Sequence, residues 1–353
     1  MKKLLAMLLA LAMVLSLAAC GAKTDAPAAT EAPKAEAPAT EAPAETEAAA
    51  PAVEPVTLNV AYMANWGSLW AVATANEKGY FAEEGITINL TQFEDGPSEI
   101  AAMKQGSMDV AFIGPGAHKL CSKGEAQVFL MQHMGDGDCV LGLNGIKTLE
   151  ELKGKKVGYA AGTSSETILT TALASVGLTM DDIEAVSMDA TALTTAALSA
   201  QVDAVAAWSP MSLTILDKGT DVTDICSNVD FATMASPGSW VVNPDWAAEH
   251  TDVLVRFNRA MFKAMDFAAA STTDDAVAAE VAGYVANITG LDAESTIAQR
   301  YDGSWLNSTQ VLEMIESGKL VEYYNNQQVN FGDAAGPLKA DEFVLVDLMV
   351  NAK

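Results

Sequence analysis

The sequence predicts an α/β protein built around mostly parallel sheet. Two observations carry this. Short apolar runs alternate with segments of helical periodicity in the order strand, helix, strand, helix, strand from Val56 onward. The stretch from Lys153 to Leu178 shows one such unit in full. Lys156 to Ala160 is an apolar run bounded by Gly154 and Gly162, which reads as a buried strand leaving a turn. Thr163, Ser164 and Ser165 follow at once. Ile168, Leu169, Ala172, Leu173 and Val176 then repeat at helical spacing, and Gly177 closes the helix. Thr163 and Glu166 have the spacing of a capping box. The unpaired N–H groups and positive dipole end of that helix, beside three hydroxyls, form a candidate seat for a small oxyanion. A plain helix cap is the alternative reading of Thr163.

The other elements follow in order. Val56 to Tyr62 is a strand, with a loop at Met63 to Gly67 and a helical run from Ser68 to Lys78. Ile86 to Gln92 is a strand, Ser98 to Gln105 a helix, and Met108 to Ile113 a strand broken by Gly114-Pro115-Gly116. Val128 to Met134 and Val140 to Leu143 read as strands joined through Gly135-Asp136-Gly137-Asp138. Beyond the central unit come strands at Glu184 to Ser187 and Val202 to Ala207, with a helix at Ala192 to Ala200 between them. Thr251 to Ala270 and Thr273 to Ile288 are long amphipathic runs. Leu312 to Ile315 and Phe343 to Val350 add helical turns.

The first 55 residues belong to no core. Lys2 and Lys3 precede an apolar stretch from Leu4 to Leu17, and Leu17-Ala18-Ala19-Cys20 is a small-residue cleavage site ending in cysteine. Residues 1–19 therefore read as a signal peptide, and Cys20 as the lipidated first residue of the mature chain. The apolar stretch is shorter than the roughly 20 residues of a membrane span. Residues 20–55 repeat Ala, Pro, Thr and Glu with almost nothing to bury, so they read as a tether that holds a folded domain off a membrane surface.

A formal charge of −26 argues against nucleic acid as a partner. Beyond Cys20, the cysteines Cys121, Cys139 and Cys226 show no metal spacing, and the histidines His118, His133 and His250 are scattered. No metal site and no cofactor are expected. No Gly-x-Ser-x-Gly and no Gly-x-x-x-x-Gly-Lys-Ser/Thr occurs.

In open α/β sheets, ligands sit beyond the carboxyl ends of the strands. That rule selects Trp66, Gly67 and Ser68 after the first strand, Gly114 and Pro115 after the third, and Thr163, Ser164 and Ser165 after the central one. It also selects Asp189 after Glu184 to Ser187, and Trp208 at the end of the Val202 strand. Trp66 and Trp208 could stack on an apolar or cationic part of a ligand, with core packing as the alternative for each. Asp136 and Asp138 read as solvated turn residues, with ammonium binding as the alternative.

Four stretches resemble one family in order. Glu77-Lys78-Gly79-Tyr80-Phe81-Ala82-Glu83-Glu84-Gly85-Ile86 is similar to the opening of the nitrate/sulfonate/taurine branch of ABC-importer substrate-binding proteins. Gly106 to Gly114, Leu152 to Glu166, and Leu198 to Pro210 resemble its later signatures. The resemblance implies a two-lobed type II periplasmic-binding-protein fold, with a ligand cleft between lobes joined by two crossings. It places residues 56–143 and 239–353 in one lobe and 144–238 in the other. It implies a monomer that captures a small nitrate-, sulfonate- or taurine-like solute outside the membrane and delivers it to an ABC permease and its ATPase. The alternatives are a pyrimidine-precursor binder or pyrimidine-processing enzyme on the same fold, and an adhesive surface lipoprotein.

Overall fold

The computed structural model describes residues 54–353, and the expected signal peptide, Cys20 and nearly all of the tether lie outside them. Two sheets organise the described chain. The first contains β1 (Val56–Met63), β2 (Ile86–Phe93), β3 (Val110–Ile113) and β4 (Gln127–Gly135). The second contains β5 (Cys139–Gly142), β6 (Lys156–Tyr159), β7 (Glu184–Ser187), β8 (Ala204–Ala207) and β9 (Thr223–Ser227). The chain then returns to the first sheet with β10 (Pro237–Val242) and β11 (Gly303–Trp305).

The strand orders are β11-β4-β10-β3-β1-β2 and β7-β6-β8-β5-β9. In each sheet three neighbours run parallel: β2, β1 and β3 in the first, β7, β6 and β8 in the second. One reversed strand then enters each sheet beside them. β10 lies antiparallel between β3 and β4, and β5 antiparallel between β8 and β9. The two sheets thus repeat one topology.

The placement of β5 corrects the expected first crossing. Gly135 to Asp138 does not turn β4 back on its own sheet. β5 is buried along its whole length and pairs on both edges with strands of the second sheet. The Gly-Asp-Gly-Asp segment is itself the crossing, a few residues before the expected boundary at Leu143. The second crossing runs between β9 and β10.

Packing follows the sequence pattern. β3 and β8 are apolar at every position and buried at every position. The helix Ser164–Ser175 buries Ile168, Leu169, Ala172 and Leu173 against one face of the second sheet. The helix Ala190–Leu198 covers the other face with Leu193, Ala196 and Ala197. The helix Thr251–Ala268 packs Phe257 between Phe81, Phe129 and Trp240, with ring centroids 5.0–5.5 Å apart. Asp275–Thr289 lies beside it, so late helices wrap the first lobe as expected.

The helix Lys319–Phe331 and strand β11 have no counterpart in the sequence reading. Lys319–Phe331 buries only Leu320, Tyr324 and Gln327, a single narrow stripe in a polar segment.

Candidate ligand-binding cleft

A cleft of about 740 Å³, open solvent at its mouth included, lies between the two sheets. The carboxyl ends of the parallel strands point at it, as the strand-end rule requires. From the first lobe, β1 leads to Asn65 and Gly67, β2 to Asp95 and Gly96, and β3 to Gly114 and Pro115. From the second lobe, β6 leads to Thr163 and Ser164, and β8 to Trp208 and Ser209. The crossings contribute Gly137, Asp138 and Ser236, and the β11 region adds Gln299, Asp302 and Trp305.

Of the expected residues, Gly67, Gly114, Pro115, Thr163, Ser164 and Trp208 line this cleft together. Four do not. Trp66 is fully buried in the first-lobe core, its ring edge-on to Trp305 at 6.1 Å. It sits at the first position of its helix, where its backbone N–H donates to Gln299 Oε1 at 2.9 Å. Ser68 is also fully buried, and its hydroxyl accepts from the Met63 N–H. Ser165 accepts from the Ala160 N–H at 3.0 Å and donates to the Ala206 carbonyl at 2.8 Å, which stitches its helix to β8. Asp189 is exposed and caps the helix Ala190–Leu198, accepting from the Ala192 N–H.

The helix start at Thr163 is therefore only partly available to a ligand. The Thr163 hydroxyl donates to the Ala160 carbonyl and accepts from the Ser165 N–H. Glu166 does not close a capping box with Thr163. Its carboxylate accepts from the Gly162 N–H at 2.9 Å and pairs with Lys119 of the first lobe at 2.7 Å. Of the three hydroxyls, Ser164 alone is turned to the cleft without a backbone partner among the described residues, and it faces the Asp138 carboxylate.

The walls are aromatic. Phe112 and His133 stack at 5.8 Å and 18°, and His133 meets Trp305 at 4.8 Å. His133 fits only because Gly238 has no side chain: a Cβ there would fall 2.1 Å from the ring. Burial lowers the His133 pKa to about 3, so the imidazole is neutral, and its Nδ1 has no partner among the described residues. Trp305 is fixed by its indole N–H, which donates to the Arg300 carbonyl at 2.6 Å.

The charged groups of the lining are carboxylates. Asp138, read from the sequence as a solvated turn residue, is only 5% exposed, and it accepts from the Ser236 hydroxyl. Burial raises its pKa to about 6; Ser164 and Ser236 hold it down in part, and Asp136 adds repulsion. Asp302 accepts from the Ser209 hydroxyl of the second lobe, and burial raises its pKa as well.

The lobes touch around the cleft. A Cβ on Gly116 would lie 2.0 Å from the Thr163 carbonyl carbon, so only glycine allows this approach. Thr191 donates to Glu94 across the mouth at 3.1 Å, and Asn228 spans the crossings by donating to the Gly135 carbonyl.

His133 lies inside β4, within a strand the sequence did show, so a rule that selects residues beyond strand ends passes over it. Gln299, Asp302 and Trp305 carry no strand-end signal. They reach the cleft from a part of the chain more than a hundred residues beyond the first crossing.

The NMT1/THI5-like family model matches residues 68–274, more than half of the sequence. The chain belongs to this family. A Brucella abortus relative named only as a binding protein is 27% identical over 296 residues, covering 83% of this chain and 91% of that one. The taurine-binding periplasmic protein of Escherichia coli K12 is 24% identical over 213 residues, covering 59% of this chain and 65% of its own. Among solved structures, the alkanesulfonate-binding protein SsuA from Xanthomonas axonopodis pv. citri bound to MOPS superposes with a TM-score of 0.62. It is 19% identical and covers 83% of this chain and 99% of that one. The shared fold is the two-lobed periplasmic-binding architecture, with the cleft lying between lobes joined by two crossings.

Proposed function

We propose that this protein is the solute-binding component of an ABC importer. It captures a small organic solute between its lobes and presents the closed complex to a membrane permease and its ATPase. The observation that carries this is the cleft itself. Both lobes line it, the carboxyl ends of their parallel strands point into it, and the lobes meet at Gly116 and Thr163. Closure about the two crossings then couples burial of the solute to a shape a permease can sense. Lipid at Cys20 and the tether of residues 20–55 would hold the domain, as a monomer, on the outer face of the membrane.

The reading is capture without turnover. Trp208 and Ser164 line the cleft, but none of Cys121, Cys139 and Cys226 does, and all three thiols are buried with raised pKa values. His133 is neutral and pairs with no serine hydroxyl among the described residues. The relatives' names make sulfonates and taurine the first solutes to test.

Native mass spectrometry of the full-length protein, with retained solute, identifies the cargo. Small-angle scattering with and without it measures closure. A smaller radius of gyration with solute is expected. A protein that carries and binds no small molecule, with a radius indifferent to every solute tried, would sink the reading.

A further inference from the structure

Resting on the reading of this cleft as a solute site, we infer that the solute carries a positively charged nitrogen, seated between the Asp138 and Asp302 carboxylates and the faces of Trp208 and Trp305. Three independent features converge there.

The first is uncompensated charge. Asp95, Asp138 and Asp302 line the cleft, and no lysine or arginine does. Asp95 is occupied as a helix cap, accepting from the Ser98 N–H. The ion pairs of the described residues include none of the three. Asp138 and Asp302 have hydroxyl partners only, Ser164 and Ser236 for the first and Ser209 for the second. The nearest charged neighbour acting on both is another carboxylate, Asp136. A buried carboxylate without a cation is costly, and a ligand cation relieves that cost on binding.

The second is convergence. Asp136 N–H donates to the Asp302 carbonyl at 2.8 Å. A Cβ on Gly137 would lie 3.1 Å from Ser209 Cβ and 3.2 Å from Asp302 Cβ. The first crossing is thus pressed against β11 and the end of β8 together. Asp138 belongs to that crossing and Asp302 borders β11, so the acidic lining comes from the first lobe and a crossing, with Ser209 of the second lobe packed against it.

The third is the walls. Trp208, Trp305 and Phe112 line the cleft with aromatic rings, and His133 adds a neutral ring with an unpartnered, buried nitrogen. A cation over an aromatic face in a desolvated site gains from the ring quadrupole, and an inorganic anion gains nothing from it. Helix N-termini at Gly67 and Ser164 can still receive an acidic group at the other end of the same solute. An ammonium- or amidinium-bearing solute would answer the two carboxylates and the aromatic lining together.

The test uses full-length protein stripped of retained solute and matched probes in which a charged nitrogen is exchanged for a neutral group of like size: benzylamine against benzyl alcohol, benzamidine against benzamide, and taurine against 2-hydroxyethanesulfonate. Calorimetric titration should show the nitrogen-charged member of each pair binding about tenfold tighter or more, the scale of a charge-assisted hydrogen bond. Asp138→Asn and Asp302→Asn should each remove most of that preference. Equal or tighter binding of the member without the charged nitrogen overturns the inference, as does a preference that survives both substitutions. No response to any charged member also overturns it. The wild-type pairs decide the matter even if a variant fails to fold. Binding and closure with sulfonates alone would overturn the cation and leave the solute-capture reading standing, and a failure of closure with every solute would sink both.

Discussion

Asp138→Asn should stabilise the solute-free protein, and only above about pH 4. The Asp138 carboxyl is almost wholly buried, and burial raises its pKa from the ordinary 3.8 to about 6. A raised carboxyl pKa means that the folded state favours the protonated form. Below about pH 4 the group is protonated in both states and carries no penalty. Between pH 4 and 6 the unfolded chain loses its proton first, so stability falls as pH rises, and the penalty is complete above pH 6. A displacement of that size corresponds to about 3 kcal/mol. Asparagine keeps the shape and an oxygen for the Ser236 hydroxyl but has no charge to bury. Urea unfolding of wild type and variant in buffers from pH 4 to 7.5 should therefore give curves that coincide at low pH and separate to about 3 kcal/mol at neutrality. Asp136, Asp224 and Asp302, also raised by burial, change in both proteins and largely cancel in the difference. A difference that stays within about 0.5 kcal/mol across the range, the scatter expected of an ordinary surface substitution, would refute the buried-charge account of the cleft.

Gly116→Ala should hold the lobes apart, because its Cβ would meet the Thr163 backbone at 2.0 Å. At about 1–3 kcal/mol for overpacking, solute affinity should fall roughly ten- to hundredfold, and scattering should show no compaction with solute; unchanged affinity would count against contact-limited closure. Ser165→Ala should cost about 1–3 kcal/mol in unfolding free energy, since it strands the Ala160 N–H and the Ala206 carbonyl. Titration with the identified solute should find its affinity intact, and a large loss of affinity would return Ser165 to the site. Cys20→Ser should move the protein out of the membrane fraction on cell fractionation; an undiminished membrane fraction would refute lipid anchoring at that residue.

The sequence by itself determined the α/β class, most of the elements and part of the cleft, because those depend on local pattern. The glycine-bounded run at Lys156 to Ala160 could only be a strand leaving a turn, and the residues after it had to stand at a strand end. Gly67, Gly114, Pro115, Thr163, Ser164 and Trp208 follow from that rule and line the cleft. Three things depended on tertiary structure. β5 fell with β4 in the lobe expected for residues 56–143 until its pairing with β8 and β9 placed it in the other sheet, since apolar periodicity shows that a strand is buried and not which sheet buries it. Ser165 and Trp66 stand beside cleft residues in sequence, yet they turn inward, because a helix start directs successive side chains to different sides. Asp138 and Asp302 are more than 160 residues apart in the chain, and only the meeting of a crossing with β11 gives them one shared environment. The charge of the cleft is a property of that meeting, so neither aspartate carries a sign of it in its own neighbourhood.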